Sequence, residues 1–119
     1  MQRLLIVDDV PQVRRELRTL LSLAGEVEVV GEAANGLEAI RLAEALQPEV
    51  ILMDLEMPVL NGFEATHKIK ESRPQCRVIA LTVHSYESAR KEAARAGVDA
   101  FVVKGAPVET IIRLLGRGE

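Results

Sequence analysis

Cysteine is nearly absent from this chain, with Cys76 the single example among 119 residues. That excludes an internal disulfide framework and fits a reducing cytosol. Cys76 sits in the polar stretch "SRPQCR", a poor setting for a nucleophilic thiolate. Long apolar runs are missing too: none approaches the ~18 residues of a membrane span, and the N-terminal residues lack a signal-peptide pattern. We therefore expect a cytoplasmic location and no membrane partner. Basic residues are not in excess, since 15 Lys and Arg face 18 Asp and Glu for a net charge of −3. Nucleic-acid surfaces need clustered positive charge, so no direct nucleic-acid contact is expected from this segment. No linker or low-complexity stretch interrupts the chain, which reads as one domain over residues 1–119. With 48% hydrophobic and 28% charged residues it has the composition of an ordinary globular protein.

Five short apolar runs are present: "RLLIV", "VEVVGEA", "EVILM", "RVIAL" and "AFVV". Their continuity, as opposed to alternation, predicts strands buried on both faces. Between them lie segments with helical spacing. Val10, Val13, Leu17, Leu20 and Leu21 are predicted to share the buried face of a first helix, which Pro11 opens. Leu37, Ile40, Ala43 and Leu46 mark a second helix, ended by Pro48. Phe63, Thr66 and Ile69 mark a third, Ala89, Ala93 and Ala96 a fourth, and Val108, Ile111, Ile112 and Leu115 a fifth. Gly97 follows the fourth where a left-handed cap is wanted. Alternating strands and helices predict an α/β fold, a doubly wound five-stranded parallel sheet in order 2-1-3-4-5 flanked by five helices.

In such sheets ligands bind at the carboxyl edge, so the residues that end the strands matter most. The first run ends in Asp8-Asp9, the third in Asp54, the fourth in Thr82 and the fifth in Lys104. Each alone has an ordinary explanation. Asp9 reads as a helix cap, Asp54 as a turn residue, Thr82 as a strand-end cap and Lys104 as a solvated charge. Chance does not easily bring all of them to one edge. Three carboxylates this close would force a proton onto one of them unless a cation is present. Magnesium suits the site, because it takes oxygen ligands and needs only one or two carboxylates. The metal on one side and Lys104 on the other would neutralise a phosphoryl group, and Thr82 would donate to one of its oxygens. A carboxylate can itself be the nucleophile, forming an acyl phosphate, and Asp54 is the most central.

The motifs "VDD" at 7–9, "MDLEMPVLNG" at 53–62, "ALT" at 80–82 and "VVK" at 102–104 resemble those of response-regulator receiver domains of bacterial two-component systems. The resemblance covers essentially the whole chain and implies a flavodoxin-like fold. It implies that Asp54 is the phosphoacceptor, and that Asp9 and Asp54 bind Mg2+ directly. Asp8 would act through water, with the backbone carbonyl of Glu56 as a further ligand. Lys104 would contact the phosphoryl group, and Thr82 and Phe101 match the two switch positions. Glu56 and His84, two residues beyond Asp54 and Thr82, match positions that overlook the path of a hydrolytic water and so tune phosphoryl lifetime. The implied donor is a phosphohistidine on a histidine kinase or histidine phosphotransfer protein. The implied output is a changed partner face, most simply a phosphorylation-dependent homodimer through the fourth helix, fifth strand and fifth helix.

Two departures stand out. Many receivers carry proline directly after the lysine, often with a cis bond, whereas this chain reads "KGAP". That run resembles receivers that precede a helix-turn-helix DNA-binding domain, which implies transcription regulation through an effector domain not contained in these residues. A single-domain receiver acting by contact is the alternative. Phe101 also stands where chemotaxis-type receivers carry tyrosine. Small phosphatases of the haloacid-dehalogenase type share an aspartyl phosphate and magnesium, but place the nucleophile on the first strand in an Asp-x-Asp arrangement. A phosphate-independent interaction module would typically lack one of the acidic or lysine positions, all of which are intact. The expectation is therefore a phosphoacceptor that modifies itself, not a turnover enzyme.

Overall fold

The computed structural model describes residues 1–25, 27–83 and 87–116, without the side chains of 87–89 and 93. Its elements alternate without exception: β1 (Gln2–Val7), α1 (Pro11–Ala24), β2 (Val27–Ala33), α2 (Gly36–Leu46), β3 (Val50–Asp54), α3 (Gly62–Ser72), β4 (Arg77–Thr82), α4 (Glu87–Ala96), β5 (Ala100–Val103) and α5 (Val108–Gly116). The strands form one sheet in the order β2-β1-β3-β4-β5, all parallel. The order is the one predicted. The five apolar runs became the five strands to within a residue at each end.

Successive side chains on a strand point to opposite faces, and this divides the core. Leu4 and Ile6 of β1, Val50 and Leu52 of β3, and Ile79 and Leu81 of β4 pack with Leu21, Ile111 and Leu115 on the α1/α5 side. Leu5, Val7, Ile51, Met53 and Val78 pack with Ala39, Ala43, Ala65 and Ile69 on the α2/α3 side. A smaller cluster of Leu55 and Ala80, joined by Phe63, Val98 and Phe101, sits towards α4. The central strands are buried on both faces as predicted. Edge strand β2 is only partly buried along its middle, because one of its flanks has no neighbour.

Helical faces were less legible. Val10 and Leu20 are 43% and 45% exposed, not buried as expected. Val10 precedes the helix in extended backbone (φ −96°, ψ 112°), so it lies on no helical face. Leu20 is one position, about 100°, round the cylinder from the buried Leu21. On α2, Leu37 is exposed and the face that packs is Gly36, Ala39 and Ala43. Small residues win there because the helix start lies directly against the Leu60 carbonyl, where a Cβ at Gly36 would collide. Ala89 and Ala93 lie outside the described side chains, while Gly97 takes the predicted left-handed conformation at φ +100°. No helix among the described residues is long and apolar enough to cross a membrane.

Candidate functional site

Chain reversal between β1 and β3, whose connections leave to opposite sides, opens a crevice at the carboxyl edge. Asp8 follows β1, Asp54 ends β3, Thr82 ends β4 and Lys104 follows β5. Backbone bonds carry the alignment past the strand ends: Asp8 N–H donates to the Ala33 carbonyl, Leu55 N–H to Leu81, and Lys104 N–H to Thr82. The predicted cluster is assembled. Carboxylate oxygens of Asp8, Asp9 and Asp54 all lie within 4.8 Å of one another.

Asp8 and Asp54 are built alike. Each ties one oxygen to the backbone two residues on, with Val10 N–H donating to Asp8 Oδ1 at 2.9 Å and Glu56 N–H donating to Asp54 Oδ1 at 3.1 Å. This local geometry is natural to aspartate, whose short side chain mimics a backbone turn. It aims the other oxygen of each at shared space. Lys104 Nζ lies 2.9 Å from Asp8 Oδ2 and 3.3 Å from Asp54 Oδ2. Both carboxylates are buried, at 0% and 1% exposure. Asp9 is exposed. Its reading as a helix cap is not borne out: α1 is capped by Val10, with no side-chain bond.

Burial raises Asp54 from its ordinary value of 3.8 to about 6, and the charge of Asp8 adds to the rise. The Lys104 ammonium and the Glu56 N–H oppose it. The proton affinity expected of a crowded carboxylate is therefore present at Asp54. Burial alone would pull Lys104 down, but the adjacent Asp8 and Asp54 carboxylates outweigh that and hold it above its usual value. Asp8 Oδ2 and Asp54 Oδ2 have no donor in hydrogen-bond geometry among the described residues, despite their ion-pair distances to Lys104. Two buried, electron-rich oxygens with capacity left over, beside the oxygen of Asp9, suit a hard cation. The residues fit Mg2+.

Thr82 is fully buried and its hydroxyl donates to Glu56 Oε2 at 2.7 Å. Sequence reasoning placed both residues at the site but missed this bond. The available signal was that Thr82 ends β4 and Glu56 lies two residues past the end of its paired neighbour β3. The exposed Arg90 guanidinium of α4 lies over the Phe101 ring, 5.2 Å from its centroid, within range of a cation–π contact. That pairing was missed as well. His84, matched to a lifetime-tuning position, lies outside the described residues. After Lys104 the chain turns at Gly105, φ +95°, with no cis peptide bond among the described residues.

Close packing where the loop from β3 enters α3 explains Gly62. Gly62 packs so closely on the Asp54 carbonyl that a Cβ there would collide with it, which lets the start of α3 lie directly behind the site. Val59 adopts φ +71°, a conformation that a β-branched residue rarely takes.

Comparison with known proteins gives one consistent result. The sequence profile of the response regulator receiver domain matches residues 4–115. The chain is 37% identical over 112 residues to the nitrate/nitrite response regulator protein NarL of Escherichia coli, covering 94% of this chain and 52% of that protein. It is 41% identical over 120 residues to the response regulator protein VraR of Staphylococcus aureus, covering 98% of this chain and 57% of that one. The chain thus spans about half the length of these relatives. In structure it resembles a LuxR-family two-component response regulator from Aurantimonas sp. SI85-9A1, with a TM-score of 0.93 at 31% identity over 98% of this chain and 84% of that one.

Proposed function

The chain belongs to the response regulator receiver domain family, and we propose that Asp54 is its phosphoacceptor. The observation that carries this reading is the state of Asp54. It is central in the sheet and buried, with Oδ1 held by Glu56 N–H and Oδ2 facing Lys104, Asp8 and Asp9. In the proposed transfer, Asp54 Oδ2 attacks the phosphorus of a phosphohistidine on a histidine kinase or phosphotransfer protein. An O–P bond forms, the P–N bond breaks, and its electron pair stays on the imidazole nitrogen. Lys104 moves its charge from the Asp54 carboxylate to a phosphoryl oxygen.

Asp9 and Asp54 would hold Mg2+, with Asp8 through water and the Glu56 carbonyl as the remaining protein contacts. The ion supplies positive charge that lets an anionic phosphoryl group approach three carboxylates. Thr82 and Phe101 are the proposed switch pair. Phosphorylation would draw the Thr82 hydroxyl inward and let Phe101 turn, altering the face of α4, β5 and α5 and favouring a homodimer. Regulation of transcription through a DNA-binding domain elsewhere in the protein is the proposed output. Support for that comes from the likeness to NarL, VraR and LuxR-family regulators.

Treatment with acetyl phosphate and magnesium should give an acid-stable, base- and hydroxylamine-sensitive adduct on Asp54, which Asp54→Ala abolishes. An undiminished adduct in the variant overturns the assignment.

A further inference from the structure

The Thr82–Glu56 bond bears directly on how the proposed switch is thrown. A threonine hydroxyl has one proton to donate, while an ionised carboxylate and a phosphoryl oxygen only accept. In this structure that proton is directed at Glu56 Oε2, at 2.7 Å from a fully buried hydroxyl. The same proton cannot also serve a phosphoryl group on Asp54. Hydrogen bonds to a charged acceptor are the strong ones, so the hydroxyl does not change partner freely.

We propose that Glu56 is a positioning residue that retains the Thr82 hydroxyl in the resting domain and sets the threshold for switching. A phosphoryl group on Asp54 must outcompete the Glu56 carboxylate for one proton before Thr82 can move. The local geometry makes Glu56 a fitting competitor. Its backbone N–H is tied to Asp54 Oδ1, so the main chain that carries the carboxylate is anchored beside the reacting group. Glu56 itself is exposed, so it can turn into solvent once it lets go, at little desolvation cost. Asp54 and Thr82 end neighbouring strands, where Asp54 pairs with Leu81, and this sets both ends of the bond at the same level of the sheet. The inference rests on the reading of Asp54 as phosphoacceptor.

Glu56 has a simpler possible influence, repulsion of an anionic group by its charge, and the two effects separate by experiment. The probe is beryllofluoride with Mg2+, a phosphoryl mimic, and binding is read by 19F NMR. Glu56→Ala should bind the probe at least fivefold more tightly than wild type, because the competing carboxylate acceptor is gone. Glu56→Gln keeps an acceptor oxygen without the charge and should show less than half of that gain. In a Thr82→Val background, which removes the hydroxyl and keeps the shape, Glu56→Ala should change affinity by less than 1.5-fold.

An equal gain in the Ala and Gln variants, surviving in the Thr82→Val background, would mean charge repulsion alone and overturn the proposal. No gain in Glu56→Ala overturns it as well. Thr82→Ala repeats the background test should the valine variant fold poorly. Asp54→Asn is the control for the underlying reading. Binding there as tight as in wild type, or none in wild type, defeats the phosphoacceptor assignment itself. Loss of binding in Asp54→Asn with no Thr82–Glu56 coupling defeats only the inference about Glu56.

Discussion

Replacing Asp54 by asparagine should stabilise the metal-free domain, and the gain should depend on pH. Burial raises the Asp54 carboxyl from 3.8 to about 6. In the folded chain it therefore keeps its proton up to about pH 6, in the unfolded chain only to about pH 4. Between these values the folded state binds more protons than the unfolded one, so stability is lost as pH rises through the window and is lowest above it. At about 1.36 kcal/mol per pH unit the full loss is about 3 kcal/mol. Asparagine keeps the shape and the acceptor for Glu56 N–H but carries no charge. The value of about 6 is already net of the attraction of Lys104 at 3.3 Å, so the expected gain at about pH 7.5 is the full ~3 kcal/mol.

Melting both proteins in chelator tests this. With about 4 °C per kcal/mol in a domain of this size, Asp54→Asn should melt about 12 °C above wild type at about pH 7.5. By about pH 4.5 the advantage should shrink by roughly 2 kcal/mol, since wild-type Asp54 is then protonated in the folded state. Magnesium should reverse the ranking at neutral pH by stabilising wild type, by about 4.1 kcal/mol at a thousandfold excess over its dissociation constant. A difference between the two proteins that stays within about 0.5 kcal/mol over the whole pH range would refute burial and charge crowding as what governs Asp54.

Asp9→Ala should weaken magnesium binding about tenfold or more and Asp8→Ala less so, as read from amide shifts during titration; unchanged affinity in Asp9→Ala would leave Asp9 a surface charge. Val59→Gly should raise stability by about 0.5–1 kcal/mol in urea melts, because the left-handed conformation costs a β-branched residue about 1–2 kcal/mol and glycine returns part of that as unfolded-state entropy. A loss of stability would show that the loop needs the valine side chain. Glu56→Ala, His84→Ala or both should change the rate of phosphate loss from purified phosphoprotein by at least ~3-fold, about 0.65 kcal/mol in the barrier. Rates within twofold of wild type in all three proteins would exclude both residues from control of lifetime.

Strand identity was legible in the sequence because each of the five runs is short, rich in Val, Ile or Leu, and set between segments of helical spacing. With helices between them, parallel pairing and right-handed crossovers leave very few arrangements. The strand order then carried Asp8, Asp54, Thr82 and Lys104 to one edge, so the membership of the site followed from topology without any coordinates. Helical faces were harder. A helix needs only to place something small or apolar against the sheet; on α2 the buried positions are Gly36, Ala39 and Ala43, not the more hydrophobic Leu37, and at Gly36 the Leu60 backbone leaves no room for a Cβ.

The pairings within the site belong to the tertiary structure alone. Asp8 and Asp9 are adjacent and chemically identical, yet one is fully buried against Lys104 and the other exposed. Which is which depends on the turn by which the chain leaves β1 for α1. That Thr82 reaches for Glu56, 26 residues away, and that Arg90 covers Phe101, follow from the height at which neighbouring elements end. Sequence fixes the kinds of groups that a strand end presents. Hydrogen bonds act over about 3 Å, and differences that small are set only when the whole sheet has packed.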